Sequence, residues 1–146
     1  DMGYFDTHQR LHVMGRQADT VHRHGQEIYP RQVEEVAHLH PAVREACLVE
    51  VRDEAHLVVT LRHAWRKSPN IQTLTQSIQE HFDQNLAFER HPDRIHIFDT
   101  IPRSFLNKML RREVRDQLLA SARDQAPVVA LAGNDHSAET PQRFAA

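Results

Sequence analysis

Glu45-Ala46-Cys47-Leu48-Val49-Glu50-Val51, the link Arg52-Asp53-Glu54-Ala55, and His56-Leu57-Val58-Val59-Thr60-Leu61-Arg62 together decide the fold class. Both runs are rich in apolar and β-branched residues, which pack well on a pleated surface. Asp53-Glu54 between them suits a turn, so the two runs are expected to pair as antiparallel strands. Asp53-Glu54-Ala55-His56 also spells a helicase box. No Gly-rich phosphate loop accompanies it, so it is read as the hairpin turn.

Upstream of this hairpin, Pro30 stands where proline is best tolerated in a helix, at its first position. Val33, Val36, Ala37 and Leu39 supply an apolar side, Glu34 and Glu35 are expected to face out, and Pro41 ends the helix. Farther back, Arg10 to Met14 alternates and stops at Gly15, and Thr20–Arg23 and Glu27–Tyr29 flank Gly25 as another hairpin. Downstream, Ser68-Pro69 reads as an N-cap followed by proline at the first helical position. Ile71, Leu74, Ile78, Phe82 and Leu86 then repeat at helical spacing, which predicts a helix over 69–86. His91-Pro92 breaks the chain and Arg94 to Phe98 alternates as a third strand. A loop over 101–108 leads to a last helix over 109–122, with Leu110, Val114, Leu118 and Leu119 inward and Arg111, Arg112 and Arg115 outward. From Asp124 the pattern decays, and residues 123–146 are expected to be a disordered tail. The predicted class is α+β: a small domain with an N-terminal β-hairpin and a three-stranded sheet covered by helices.

Bulk properties narrow the function. The chain has 146 residues and a formal charge of −2, so no net positive field argues for nucleic acid. Arg103, Arg111, Arg112 and Arg115 form a basic cluster, but acids offset it and no stacking aromatics interleave it. No apolar run approaches a membrane span. The single cysteine, Cys47, cannot close an internal disulfide, which fits a reducing, cytoplasmic setting. Twelve histidines include His22-Arg23-His24 and His38-Leu39-His40, but no third ligand stands at a recognisable spacing, so no metal site is expected. Sixteen arginines accompany only two lysines, Lys67 and Lys108, so any chemistry needing a lysine has two candidates. Position 1 is an Asp inside a turn-like phrase, as expected for a piece of a longer polypeptide.

Two phrases lift the chain above a generic α+β domain. One is Gly15-Arg16-Gln17-Ala18-Asp19-Thr20-Val21-His22-Arg23-His24-Gly25-Gln26-Glu27-Ile28-Tyr29-Pro30-Arg31-Gln32-Val33-Glu34-Glu35; the other is Ile101-Pro102-Arg103-Ser104-Phe105-Leu106-Asn107-Lys108-Met109-Leu110-Arg111-Arg112. The Gly15–Glu35 phrase resembles the hinge-and-loop motif of the adenylate-forming (AMP-binding) superfamily, in its acyl-CoA synthetase style. The Ile101–Arg112 phrase resembles the last motif of that superfamily, and His40-Pro41-Ala42-Val43-Arg44-Glu45-Ala46 is similar to its helix-to-strand connection. Asp1 to Asp6 resembles the end of the family's large N-terminal domain.

The resemblance implies a ligase lid. Residues 1–16 would end the large domain and approach the hinge, and residues 17–122 would be the C-terminal lid. The overall reaction would join a carboxylic acid to ATP, giving acyl-AMP and pyrophosphate. A thioester would then form with CoA or with the pantetheine of an acyl or peptidyl carrier protein. ATP with Mg2+ and CoA would be held mainly by the chain's own N-terminal adenylation domain, so this segment alone would be inactive. Lys108 would be catalytic, Asp1 and Arg16 would touch ATP or AMP, and Ala18 and Asp19 would form the hinge. His24, Gly25 and Gln26 would form the loop beside CoA or pantetheine.

The chemistry asked of Lys108 is physically coherent. Adenylation brings a carboxylate against phosphates that repel it, and a compact ammonium on a long stem relieves that repulsion. Three features depart from the family pattern. Ala18 lacks the polar side chain usual at the hinge, Asn107 replaces the glycine before the lysine, and His22, His24, Gln26 and Glu27 are atypical loop residues. They keep open an alternative, a non-catalytic relic or interaction module with the same fold.

Overall fold

The computed structural model describes residues 1–67 and 70–122. The elements, in chain order, are β1 (Met2–Phe5), β2 (Leu11–Gly15), β3 (Val21–Arg23), β4 (Gln26–Ile28), α1 (Pro30–His38), β5 (Val43–Val51), β6 (Glu54–Leu61), α2 (Ile71–Asn85), β7 (Arg94–Ile97) and α3 (Arg111–Ser121). The predicted α+β class holds. The central sheet has the order β5-β6-β7, antiparallel between β5 and β6 and parallel between β6 and β7. A parallel neighbour needs a crossover, and α2 supplies it.

Strands β5 and β6 are buried on both faces, which is why they read as nearly continuous apolar runs. On one face Ala46, Leu48, Leu57 and Val59 meet Val33 and Ala37 of α1 and Ile78 and Phe82 of α2. On the other, Cys47, Val49 and Val58 meet Val114 and Leu118 of α3. The turn sits one residue earlier than expected. Val51 pairs with Glu54, and Arg52 and Asp53 have φ of 52° and 62°. Two successive left-handed residues make the turn whose twist matches a two-residue hairpin, so Glu54 opens β6 instead of lying in the turn.

Two smaller ribbons precede the sheet. β3 and β4 pair across His24 (φ 50°) and Gly25 (φ 78°), a turn of the same two-residue kind. A Cβ at Gly25 would meet nothing within 4 Å, so conformation and not space favours glycine there. β1, which alternation alone does not reveal, pairs with β2. Its turn is closed by Asp6, whose carboxylate accepts from the backbone of His8 and Arg10 and from the Arg10 side chain.

Several expectations need correction. Ser68 and Pro69 lie outside the described residues; the cap of α2 that is described is Asn70, whose side chain accepts from the Thr73 amide at 3.1 Å. Leu39, expected on the apolar side of α1, is 71% exposed, because α1 ends at His38 and the chain turns there. α3 begins at Arg111, two residues later than expected, because Met109 is drawn into a bridge with Arg103. Glu34 and Arg111 do not face out; they pair with each other. The expected tail, 123–146, lies outside the described residues.

Candidate functional site

Lys108 lies on a tight loop that is closed like a small hairpin. Arg103 and Met109 form an antiparallel bridge, and the amide of Ser104 donates to the carbonyl of Lys108 at 2.9 Å. The Asn107 amide donates to the Ser104 carbonyl at 2.8 Å, and the Leu110 amide to the Pro102 carbonyl at 3.0 Å. Asn107 has φ of 62°, the left-handed conformation that glycine adopts freely and asparagine tolerates better than most residues. The glycine-to-asparagine departure therefore leaves a closed loop. Lys108 is exposed, and the tip beside it carries Phe105, 97% exposed, and Leu106.

Two ion pairs tie this loop to the body, and neither is legible in the sequence. Arg103 donates to Oε1 of Glu45 through Nη2 at 2.6 Å and through Nε at 3.1 Å, and its Nη1 reaches the Asn107 carbonyl at 2.8 Å. Burial works against the charge of Glu45, but hydrogen bonds from Arg103 and Thr60 outweigh it and hold the carboxyl below its ordinary value. Three residues past Lys108, Arg111 opens α3 and forms a two-pronged pair with Glu34, with Nη2 to Oε2 at 3.1 Å and Nη1 to Oε1. The same guanidinium donates to the Leu48 carbonyl at 3.1 Å and stands 4.0 Å from Asp19. Burial opposes its charge, yet Glu34 more than reverses this and raises the guanidinium above its ordinary value.

The hinge candidates lie beside this second pair. Ala18 is exposed within a short 3-10 turn, Gln17–Asp19, and Asp19 is half-buried. A cleft of about 290 Å³ between this turn, β5 and α3 is lined by Ala18, Asp19, Thr20, Glu50, Arg111 and Arg115. Arg16 and Asp1 are exposed.

The His24-Gly25-Gln26 candidate is anchored elsewhere. The His24 amide donates to the Asp53 carbonyl at 3.2 Å, and Asp93 accepts from Arg23 Nε at 2.8 Å and from the Ala55 amide at 2.8 Å. Asp93 is held below its ordinary value: burial would raise it, but these donors prevail. Glu45, which braces the Lys108 loop, lies near the start of β5, whereas Asp53 follows its end. The strand from Glu45 to Val51 spans about 20 Å at 3.3 Å per residue. The structure thus brings Asp19 toward the start of α3 and places the Lys108 loop and the Gly25 hairpin against opposite ends of β5.

Among the described residues no group of three or more His, Cys, Asp or Glu side chains converges to hold a metal.

The AMP-binding enzyme C-terminal domain family matches residues 32–108, a span that ends on Lys108 itself. The chain belongs to that family. Among its relatives, the 2-succinylbenzoate–CoA ligase of Bacillus cytotoxicus is 34% identical over 119 residues, covering 81% of this chain and 24% of that protein. The Bacillus subtilis enzyme of the same name is 30% identical over 122 residues, covering 80% and 23%. The o-succinylbenzoate CoA synthetase of Bacillus subtilis, solved with its acyl-adenylate intermediate, superposes with a TM-score of 0.65 at 31% identity, over 78% of this chain and 23% of that one. An anthranilate CoA ligase solved with anthranoyl-AMP shares the fold, with a TM-score of 0.72 at 22% identity over 82% and 24%. This chain of the AMP-binding C-terminal family thus spans about a quarter of the length of those ligases. No helix among the described residues is long and apolar enough to cross a membrane.

Proposed function

We propose that residues 17–122 are the mobile lid of a longer AMP-forming acyl-CoA ligase, with residues 1–16 packing on its large upstream domain. The lid would serve two steps: carboxylate plus ATP to acyl-AMP and pyrophosphate, then transfer of the acyl group to the CoA thiol with release of AMP. The observation that carries this is the placement of an exposed Lys108, on a braced loop, at the end of β5 opposite the glycine hairpin. Groups held against opposite ends of one strand do not face one reacting centre together, so a rotation that exchanges them suits a two-step reaction.

In the first step the Lys108 ammonium offsets the charge crowded around the α-phosphate and the attacking carboxylate. Arg16 and Asp1, on the approach to the hinge, hold the nucleotide. In the second step the backbone of His24-Gly25-Gln26 lines the path of the pantetheine arm; nothing stands within 4 Å of where a Gly25 Cβ would be. Rotation occurs about Ala18 and Asp19. CoA is favoured over a carrier protein as acceptor because the relatives of about 30% identity are CoA ligases. By itself the segment is expected to have negligible activity, because it spans about a quarter of the length of the ligases it resembles. The exposed Phe5, Leu11 and Val13 of the β1-β2 ribbon supply an apolar surface for the large domain.

A non-catalytic module with this fold would not require Lys108. The two are separated by carboxylate-dependent pyrophosphate release in the full-length polypeptide. Lys108→Ala is expected to lower it about a hundredfold or more, the scale of losing one preorganised charge-stabilising donor. Undiminished release would exclude the catalytic role.

A further inference from the structure

We propose that Arg103 and Ser104 are positioning residues that clamp the peptide plane between Asn107 and Lys108, with Glu45 as the fixed point behind them; the proposal rests on Lys108 being the adenylating lysine. The peptide group that leads into Lys108 is held at both ends. Its carbonyl, that of Asn107, accepts from Arg103 Nη1 at 2.8 Å, and its N–H, that of Lys108, donates to Ser104 Oγ at 3.2 Å. A peptide plane fixed at both its donor and its acceptor cannot swing, and its orientation sets the direction in which the Cα–Cβ bond of Lys108 leaves the backbone.

The fixed point is built into the sheet. Register slips between Val43 and Glu45, so that Arg44 is the extra residue of a bulge. A bulge re-aims the side chains beside it. Val43 consequently joins the cluster under α1 and α2, while Glu45 shares the opposite face with Cys47 and Val49, toward the loop. Thr60 of β6 donates to Oε2 of Glu45 at 3.0 Å, leaving Oε1 for Arg103. Rigidity thus passes from two paired strands through Glu45 and Arg103 to the Asn107 carbonyl. This matters because Asn107 is left-handed, a conformation less favourable for a non-glycine residue than for glycine and kept where surroundings enforce it. Lysine has a long, flexible stem, so a misdirected root would spread the ammonium over positions away from the phosphate.

The test uses the full-length ligase polypeptide and measures the half-reactions separately: carboxylate-dependent pyrophosphate release, and thioester formation from preformed acyl-adenylate and CoA. Arg103→Gln is expected to lower the kcat of adenylation about ten- to a hundredfold, the penalty typical of an ångström-scale misplacement. KM for acid and ATP should stay within about twofold, and so should thioester formation, because a positioning loss spares binding and the second step does not use Lys108. Ser104→Ala removes a single hydroxyl from a half-buried position, keeps the fold, and is expected to cost about tenfold in the same parameter, with Ser104→Thr restoring it. Adenylation kcat retained in both Arg103→Gln and Ser104→Ala, or an equal fall in both half-reactions, would overturn the clamp. Lys108→Ala run alongside separates the two levels. If it loses adenylation while the clamp variants do not, only the clamp fails; if it retains adenylation, the lid assignment fails as well.

Discussion

The buried His56 and the half-buried His96 form a pair whose titration should dominate the acid sensitivity of the fold. Their rings lie nearly parallel with centroids 5.2 Å apart, and Nδ1 of His56 is 3.0 Å from Nε2 of His96. Burial pushes His96 down from 6.5 to about 4, with the neighbouring His56 and Arg94 adding to the fall. His56 is lowered as well, first by burial, although Glu54 beside it partly opposes the shift. Both imidazoles are therefore neutral in the folded chain while the unfolded chain takes up protons. The sign follows: the stabilisation is complete above pH 6.5 and is lost progressively as pH falls toward about 4. At 1.36 kcal/mol per pH unit, the His96 shift is worth at most about 3 kcal/mol, and about 1.5 kcal/mol of that falls between pH 6.5 and 5. The lowered carboxyls of Glu45, Glu54 and Asp93 act chiefly below about pH 5, because a depressed acid contributes above its unfolded value of 4.5 or 3.8 and is lost beneath it. Urea unfolding followed by circular dichroism at about pH 6.5 and about pH 5 reads the difference. His96→Gln removes the titration, and its loss of stability across that window should be smaller than that of the unsubstituted chain by about 1–1.5 kcal/mol. An identical loss in both would refute the assignment of the acid sensitivity to His96.

Other perturbations follow from the same contacts. Arg111→Met leaves Glu34, with a side chain 13% exposed, without its ion partner and should cost about 3 kcal/mol in urea unfolding. Glu34→Met combined with Arg111→Met removes both charges and should recover most of that loss; equal instability of the single and double variants would show that the ion pair is not the cause. Phe82→Ala empties a fully buried position between α1, α2 and the sheet, with an expected loss of about 3–5 kcal/mol in the same measurement.

Much of the architecture is legible because it is written locally. The helix start at Pro30, the apolar stripe Leu74, Ile78 and Phe82, and the continuous strands β5 and β6 each follow from residues a few positions apart. The left-handed Gly25 follows from its turn context, and Asn107 is tolerable where glycine is usual. The departures are local rules overruled by distant partners. Glu34 and Arg111 carry charge, which by local rules belongs in solvent, but each supplies the other's compensation across 77 positions of sequence. Strand β1 escapes a reading by pattern because Met2–Phe5 includes a glycine and shows little alternation; its pairing with β2 comes from a turn closed by Asp6.

By itself, the sequence determined the α+β order of elements and the two motifs that ally the chain to adenylate-forming enzymes, and it made Lys108 the candidate from only two lysines. Tertiary structure alone decided what holds that lysine. Arg103 finds Glu45 across 58 positions, on the face of β5 that Cys47 and Val49 share and over which the loop packs. The physical reason is that periodicity and turn chemistry act over a few residues, whereas the partner of a half-buried charge is chosen by where the folded chain brings the opposite charge.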